Sequence, residues 1–106
     1  MTGGKASRAK GKAGSRAVTR WLQQNGHPFC AERSVGEDGD DIIGVPGLSI
    51  EVKNCARMEL AAWIDQSNTQ KQGRPGAVIH KRKGTTDVGK WYVTLEVADL
   101  FQLIAP

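Results

Sequence analysis

Cysteine and histidine are scarce in this chain of 106 residues, with two of each. Cys30 and Cys55 form no CxxC pair and no HxxxH spacing occurs, so a zinc site is not expected. Two cysteines cannot build a disulfide scaffold, and both thiols are expected to be reduced and packed. Long apolar runs are missing too. None can span a bilayer, and the N-terminus has no signal-peptide hydrophobic stretch. A cytoplasmic protein with no membrane partner is the resulting expectation. Acids are also missing from residues 1–31. Lys5, Arg8, Lys10, Lys12, Arg16 and Arg20 all precede the first of them, Glu32.

That imbalance leads to what is present. The formal charge is +4, and a second basic cluster follows at Lys81, Arg82 and Lys83. Such blocks attract phosphate backbones and make binding sensitive to salt. Charge alone also fits a solvated basic tail, and it does not separate DNA from RNA. Against this background, acids concentrate between Glu37 and Asp41. Metal chemistry is sought at that reversal.

The length suits one domain with one modest core. Residues 1–9 lack a hydrophobic pattern and read as a flexible basic arm before a single domain over 10–106. A helix is predicted from about Lys12 to Gln24, with Ala17, Val18, Trp21 and Leu22 on one face. Asn25-Gly26 stops it. A strand is predicted over Phe29 to Val35. Two more, Asp41 to Val45 and Leu48 to Lys53, flank a Pro46-Gly47 turn. A second helix is predicted from about Arg57 to Gln72, then strands at Ala77–Lys81 and Lys90–Leu95. Val97, Leu100, Phe101 and Ile104 suggest a terminal helix. The order α-β-β-β-α-β-β-α predicts an α/β fold, a mixed central sheet flanked by helices.

Within the hairpin, Glu51 and Lys53 share one strand face because side chains two apart point the same way. Ile50 and Val52 then point into the core. The turn makes the strands neighbours, so Asp41 can reach Glu51. Two converging carboxylates repel, and a hard divalent cation such as Mg²⁺ relieves that, with the Val52 carbonyl as a third oxygen ligand. Lys53 beside it can orient an attacking water and stabilise charge on a phosphate. Glu-x-Lys alone is usually a solvated pair. The joint pattern says more: an Asp at a strand start, a Pro-Gly turn, then apolar-Glu-apolar-Lys in a basic chain. Asp40 competes with Asp41 as the ligand, and Asp41 is preferred because it directly precedes Ile42-Ile43. His80 is expected to be a packed histidine, and the three tryptophans to be core residues. Asn54 can contact DNA or cap the turn into the second helix.

Asp41, the hairpin and Glu51-Val52-Lys53 resemble the PD-(D/E)XK nuclease signature. The wider pattern is similar to archaeal Holliday junction resolvases and to small actinobacteriophage endonucleases of that superfamily. It runs through Lys10-Gly11, Asp41 to Gly47, Ile50 to Asn54, Glu59-Leu60-Ala61 with Trp63, Lys81 to Gly84 and Trp91-Tyr92-Val93. The resemblance implies a restriction-endonuclease-like fold with an αβββαβ core and hydrolysis of DNA phosphodiesters. It implies Mg²⁺ or Mn²⁺ as cofactor, held by Asp41, Glu51 and Val52, with catalysis by Asp41, Glu51 and Lys53. For resolvases it also implies a homodimer acting on branched DNA. Lys10, Lys12, Arg16, Lys81, Arg82 and Lys83 are the expected DNA contacts. Ser15 stands where relatives often carry a first-helix glutamate, and Gln70 where some place a glutamine that lines the site. The missing helix acid keeps open a catalytically impaired DNA-binding module; a less selective nicking or repair nuclease is a second enzymatic alternative.

Overall fold

The computed structural model describes residues 3–34 and 36–106, residues 3–7 as backbone only. Val18 and Leu22 are buried one helical turn apart, as the apolar spacing requires. They anchor the first helix, α1 (Gly3–Gln24). It starts well before the expected Lys12, so residues 3–9 of the expected arm are helical, and residues 1–2 lie outside the described residues. Ala6, Arg8, Ala9 and Lys10 are good helix formers that favour this extension against the cost of Gly3, Gly4 and Gly11. Its end is as expected. Gly26 has a positive φ of 105°, and the His27 N–H donates to the Leu22 carbonyl at 2.9 Å.

The first two strands are shorter than predicted: β1 is Ala31–Glu32 and β2 is Ile42–Ile43. Val35, at the end of the predicted first strand, lies outside the described residues. Beyond Glu32 pairing continues by one bond, from the Arg33 N–H to the Asp41 carbonyl at 2.9 Å. The Pro46-Gly47 turn forms as predicted, with Gly47 at φ 79° and the Leu48 N–H donating to the Val45 carbonyl at 3.3 Å. It leads into β3 (Ser49–Lys53). The second helix, α2, covers Leu60–Gln70, and β4 covers Gly76–His80. A short 3₁₀ turn, Val88–Lys90, precedes β5 (Tyr92–Thr94) and α3 (Val97–Ile104).

The five strands lie in the order β1-β2-β3-β4-β5. Only β3 and β4 are parallel, with Glu51 opposite Val78 and Lys53 opposite His80; the other neighbours are antiparallel. The result is a compact α/β domain of three helices and one mixed sheet. On one face, α1 packs over Ile42, Ile50, Val52 and Trp91. At Gly14 a Cβ would stand 3.1 Å from the Asn54 Cβ and 3.4 Å from a Val52 methyl. That glycine lets the helix approach the end of β3. On the other face lies α2, with Trp63 and His80 ring centroids 5.5 Å apart. β3 is therefore covered on both sides, and Ser49, Ile50, Glu51 and Val52 are all buried. Among the described residues, no helix is long and apolar enough to cross a membrane.

Candidate functional site

Asp41 sits just before the Ile42–Ile50 pair and is fastened by three hydrogen bonds. Its N–H donates to the Ile50 carbonyl (2.9 Å), and its own carbonyl accepts from the Arg33 N–H (2.9 Å). Its carboxylate Oδ2 accepts the Val52 N–H at 2.7 Å. This last bond takes the place of a ladder bond just before β2 begins, and it aims the carboxylate at β3. Glu51 meets it there. The sheet pattern put Glu51 on a polar face, but α2 and the cleft wall leave it 1% exposed. Burial, then the charge and hydrogen bond of Asp41, push its carboxyl up from 4.5 to about 8, while Lys53 pulls the other way. Its Oε1 is buried without a hydrogen-bond partner.

The neighbouring Asp40 has a different role. It is buried and clasped by Arg33 Nη2 at 2.6 Å and Arg74 Nη2 at 3.3 Å. Two guanidinium groups neutralise it, so it holds the loop before β2 to the turn before β4. Among the described residues Asp41 forms no ion pair, and that separates the two adjacent acids. Asp38 is exposed and does not line the cleft.

Lys53 is half-buried, and its ammonium donates to Gln66 Oε1 at 2.6 Å. Gln66, on α2, was missed in the sequence. Its spacing of three from the buried Trp63 is the signal that could have found it. Gln70, expected at the site, does not line the cleft; Gln66 one turn earlier does. Ser15 and Lys12 on α1 line the cleft opposite. The cleft, of about 940 Å³, thus brings together Ser15, Asp41, Glu51, Lys53 and Gln66.

A divalent cation fits this donor set. Two carboxylates converge, and one oxygen of Glu51 is buried and unpartnered. Along a strand the N–H and C=O of one residue point to the same side. The Val52 N–H points at Asp41, so the Val52 carbonyl faces that side too. Hard oxygen ligands of this kind, few in number, suit Mg²⁺, which keeps waters and shares substrate phosphates. Among the described residues, no third acid, histidine or cysteine joins Asp41 and Glu51 in a metal-sized cluster. Glu32, which also borders the cleft, is instead 3.9 Å from Arg16. Arg16 is thereby placed at the β1 edge.

The remaining basic residues gather elsewhere. Lys10, Lys81, Arg82 and Lys83 line an adjacent groove rather than the carboxylate cleft. The Lys81 N–H donates to the Lys53 carbonyl at 3.0 Å, which places the two lysines at the same end of the parallel strands. Asn54 does not cap α2. Its side-chain amide donates to the Lys10 carbonyl at 2.9 Å and ties β3 to α1. His80 is packed as expected, with burial holding its pKa down and Nε2 2.9 Å from Thr94 Oγ1. Trp63 and Trp91 are buried, and Trp21 is half-buried against the same core as Trp91. Both cysteines are free; Cys30 is buried, whereas Cys55 is exposed rather than packed. Comparisons with family models, with curated proteins and with solved structures return no match to this chain.

Proposed function

We propose that this chain is a Mg²⁺-dependent DNA endonuclease of the PD-(D/E)XK kind, acting on branched DNA, with Holliday junctions as the leading substrate. The observation that carries this reading is the buried Glu51 carboxyl meeting the half-buried Asp41 carboxylate, which accepts the Val52 N–H, with Lys53 on the same strand as Glu51. Asp41, Glu51 and the Val52 carbonyl would hold the ion, and Mn²⁺ is expected to substitute. When bound, the ion supplies positive charge to a scissile phosphate and acidifies an attacking water. Asp41, fastened through Val52, fixes the ligand geometry. The Lys53 ammonium, positioned by Gln66, stabilises charge that grows on the phosphate. Lys12 at the cleft wall neutralises backbone charge, which makes binding fall with salt.

A homodimer is part of the proposal, because two symmetric nicks need two sites. The outward face of α3, with Val97, Phe101 and Ile104 exposed, is the kind of surface a second copy would cover. The test is incubation of a four-way junction and a linear duplex with the protein, with Mg²⁺ or with chelator. Metal-dependent cutting that favours the junction is expected, lost in Glu51→Gln while binding persists. No metal-dependent cutting of either DNA would sink the reading. The second reading, a DNA-binding module without activity, is favoured by the two-acid site and by Ser15 on α1. It expects Glu51→Gln to leave every DNA-dependent property unchanged.

A further inference from the structure

Beside the carboxylate cleft, at the C-terminal ends of β3 and β4, lies a second groove of about 820 Å³. Ligand pockets run to roughly 300–1,000 Å³, so it has room for a nucleotide-sized group. Its walls carry Lys10 from α1 and Lys81, Arg82 and Lys83 from the loop after β4, with no carboxylate among the described residues that line it. Cations alone would serve a duplex backbone. This groove also holds two exposed apolar side chains, Met58 at 56% and Tyr92 at 49%. The Arg82 guanidinium carbon lies 5.9 Å from the Tyr92 ring centroid, over the ring. The His80 ring meets Tyr92 edge-on at 6.1 Å and steadies it. An exposed ring under a guanidinium, inside a cationic groove, is the combination that stacks an unpaired base and holds its phosphates. A paired base inside a duplex has no free face to offer such a ring.

The groove also continues the cleft. Lys53 lines the cleft and Asn54 lines the groove, one residue step of about 3.8 Å between Cα atoms. Ala9 of α1 borders both. We propose that this groove seats an unpaired nucleotide of the DNA strand, its base stacked on the Arg82–Tyr92 pair and its phosphates on the surrounding lysines. Resting on the nuclease reading, the inference further places that nucleotide next to the scissile phosphate. The preferred branched substrate then exposes unpaired nucleotides beside the cut, as a flap does, or as a four-way junction does when base pairs at the crossover open.

The test uses the full chain in chelator, so that nothing is cut. Fluorescence anisotropy compares a duplex that ends in a three-nucleotide unpaired 2-aminopurine tract with the same duplex fully paired. The unpaired form should bind at least about fivefold more tightly, with the 2-aminopurine emission quenched by stacking. Tyr92→Ala should remove both the preference and the quenching, and Tyr92→Phe should keep them. Lys83→Ala, which removes one of the groove's phosphate contacts, should weaken the unpaired DNA more than the paired one and keep the quenching. Preference and quenching that survive Tyr92→Ala overturn the proposal. So does a polyglutamate peptide that competes as well as a single-stranded oligonucleotide, which would mean an acidic protein segment is the occupant. If Tyr92→Ala does not fold, Met58→Glu on the exposed rim asks the same question: unchanged binding of the unpaired DNA overturns the proposal. Failure of the nuclease reading looks different. There, wild-type protein with Mg²⁺ cuts nothing while Tyr92-dependent binding persists.

Discussion

Glu51→Gln separates what the site costs the fold from what it does. Glu51 is 1% exposed, and burial, with Asp41 beside it, raises its carboxyl from 4.5 to about 8. In the unfolded chain the group loses its proton near 4.5; in the folded chain it keeps it to about 8. Between those values the native state binds more protons, so stability falls as pH rises. The loss is complete above the folded value and amounts to about 5 kcal/mol at most; relaxation around the pair brings the expected figure to about 2–3 kcal/mol. Glutamine has nearly the same shape and no proton to lose. Without divalent cations at pH 8, the variant should therefore be more stable than wild type by about 2–3 kcal/mol, which raises Tm by roughly 10 °C or more for a domain this size. At pH 4 the two should nearly coincide. Mg²⁺ should stabilise wild type at pH 8 and leave the variant unmoved. Urea unfolding followed by circular dichroism, at pH 4 and pH 8 with chelator or Mg²⁺, reads all three. A variant less stable than wild type at pH 8, or one that keeps the wild-type pH dependence, refutes the assignment of Glu51 as the buried, proton-sharing acid.

Lys53→Met should lower DNA cleavage about 10²–10³-fold and change Tm by less than a few degrees, because its partner Gln66 is exposed; a cleavage time course and a thermal scan check it. Asp99 accepts from the Gly76 N–H at 3.0 Å and from Lys71 Nζ at 2.9 Å, which holds its carboxyl below the usual range. That contribution is present above pH 3.8 and is lost as pH falls through the lowered folded value, so Asp99→Asn should cost about 1–3 kcal/mol at pH 7 and progressively less as the pH is taken below 3.8, by urea titration across that range. Gly14→Val should push α1 off Asn54 and Val52 and destabilise by about 1–3 kcal/mol, read by the urea midpoint. Phe101→Glu should convert a dimer to a monomer in sedimentation; a wild-type protein that already sediments as a monomer argues against that face.

Local sequence determined the hairpin. Pro46-Gly47 supplies a turn with positive φ at glycine, and alternation from Leu48 to Lys53 puts Glu51 and Lys53 on one face. Those choices depend on neighbours within a few residues, where backbone sterics and side-chain period decide. The same holds for the stop of α1 at Asn25-Gly26 and for the span of α3. Tertiary structure decided what lies over each face. Alternation read the Glu51 face as polar, because a period of two cannot reveal a second layer; α2 supplies that layer and buries a carboxylate. Nor can spacing show that Arg33 and Arg74 close on Asp40 rather than on Asp41, or that Gln66 rather than Gln70 reaches Lys53. The convergence of Lys10 with Lys81, Arg82 and Lys83 spans some seventy residues of sequence. It arises because β3 and β4 are parallel neighbours whose ends lie side by side, and α1 packs against β3. Such long-range meetings are set by packing free energy summed over the whole domain, which no short window of sequence contains.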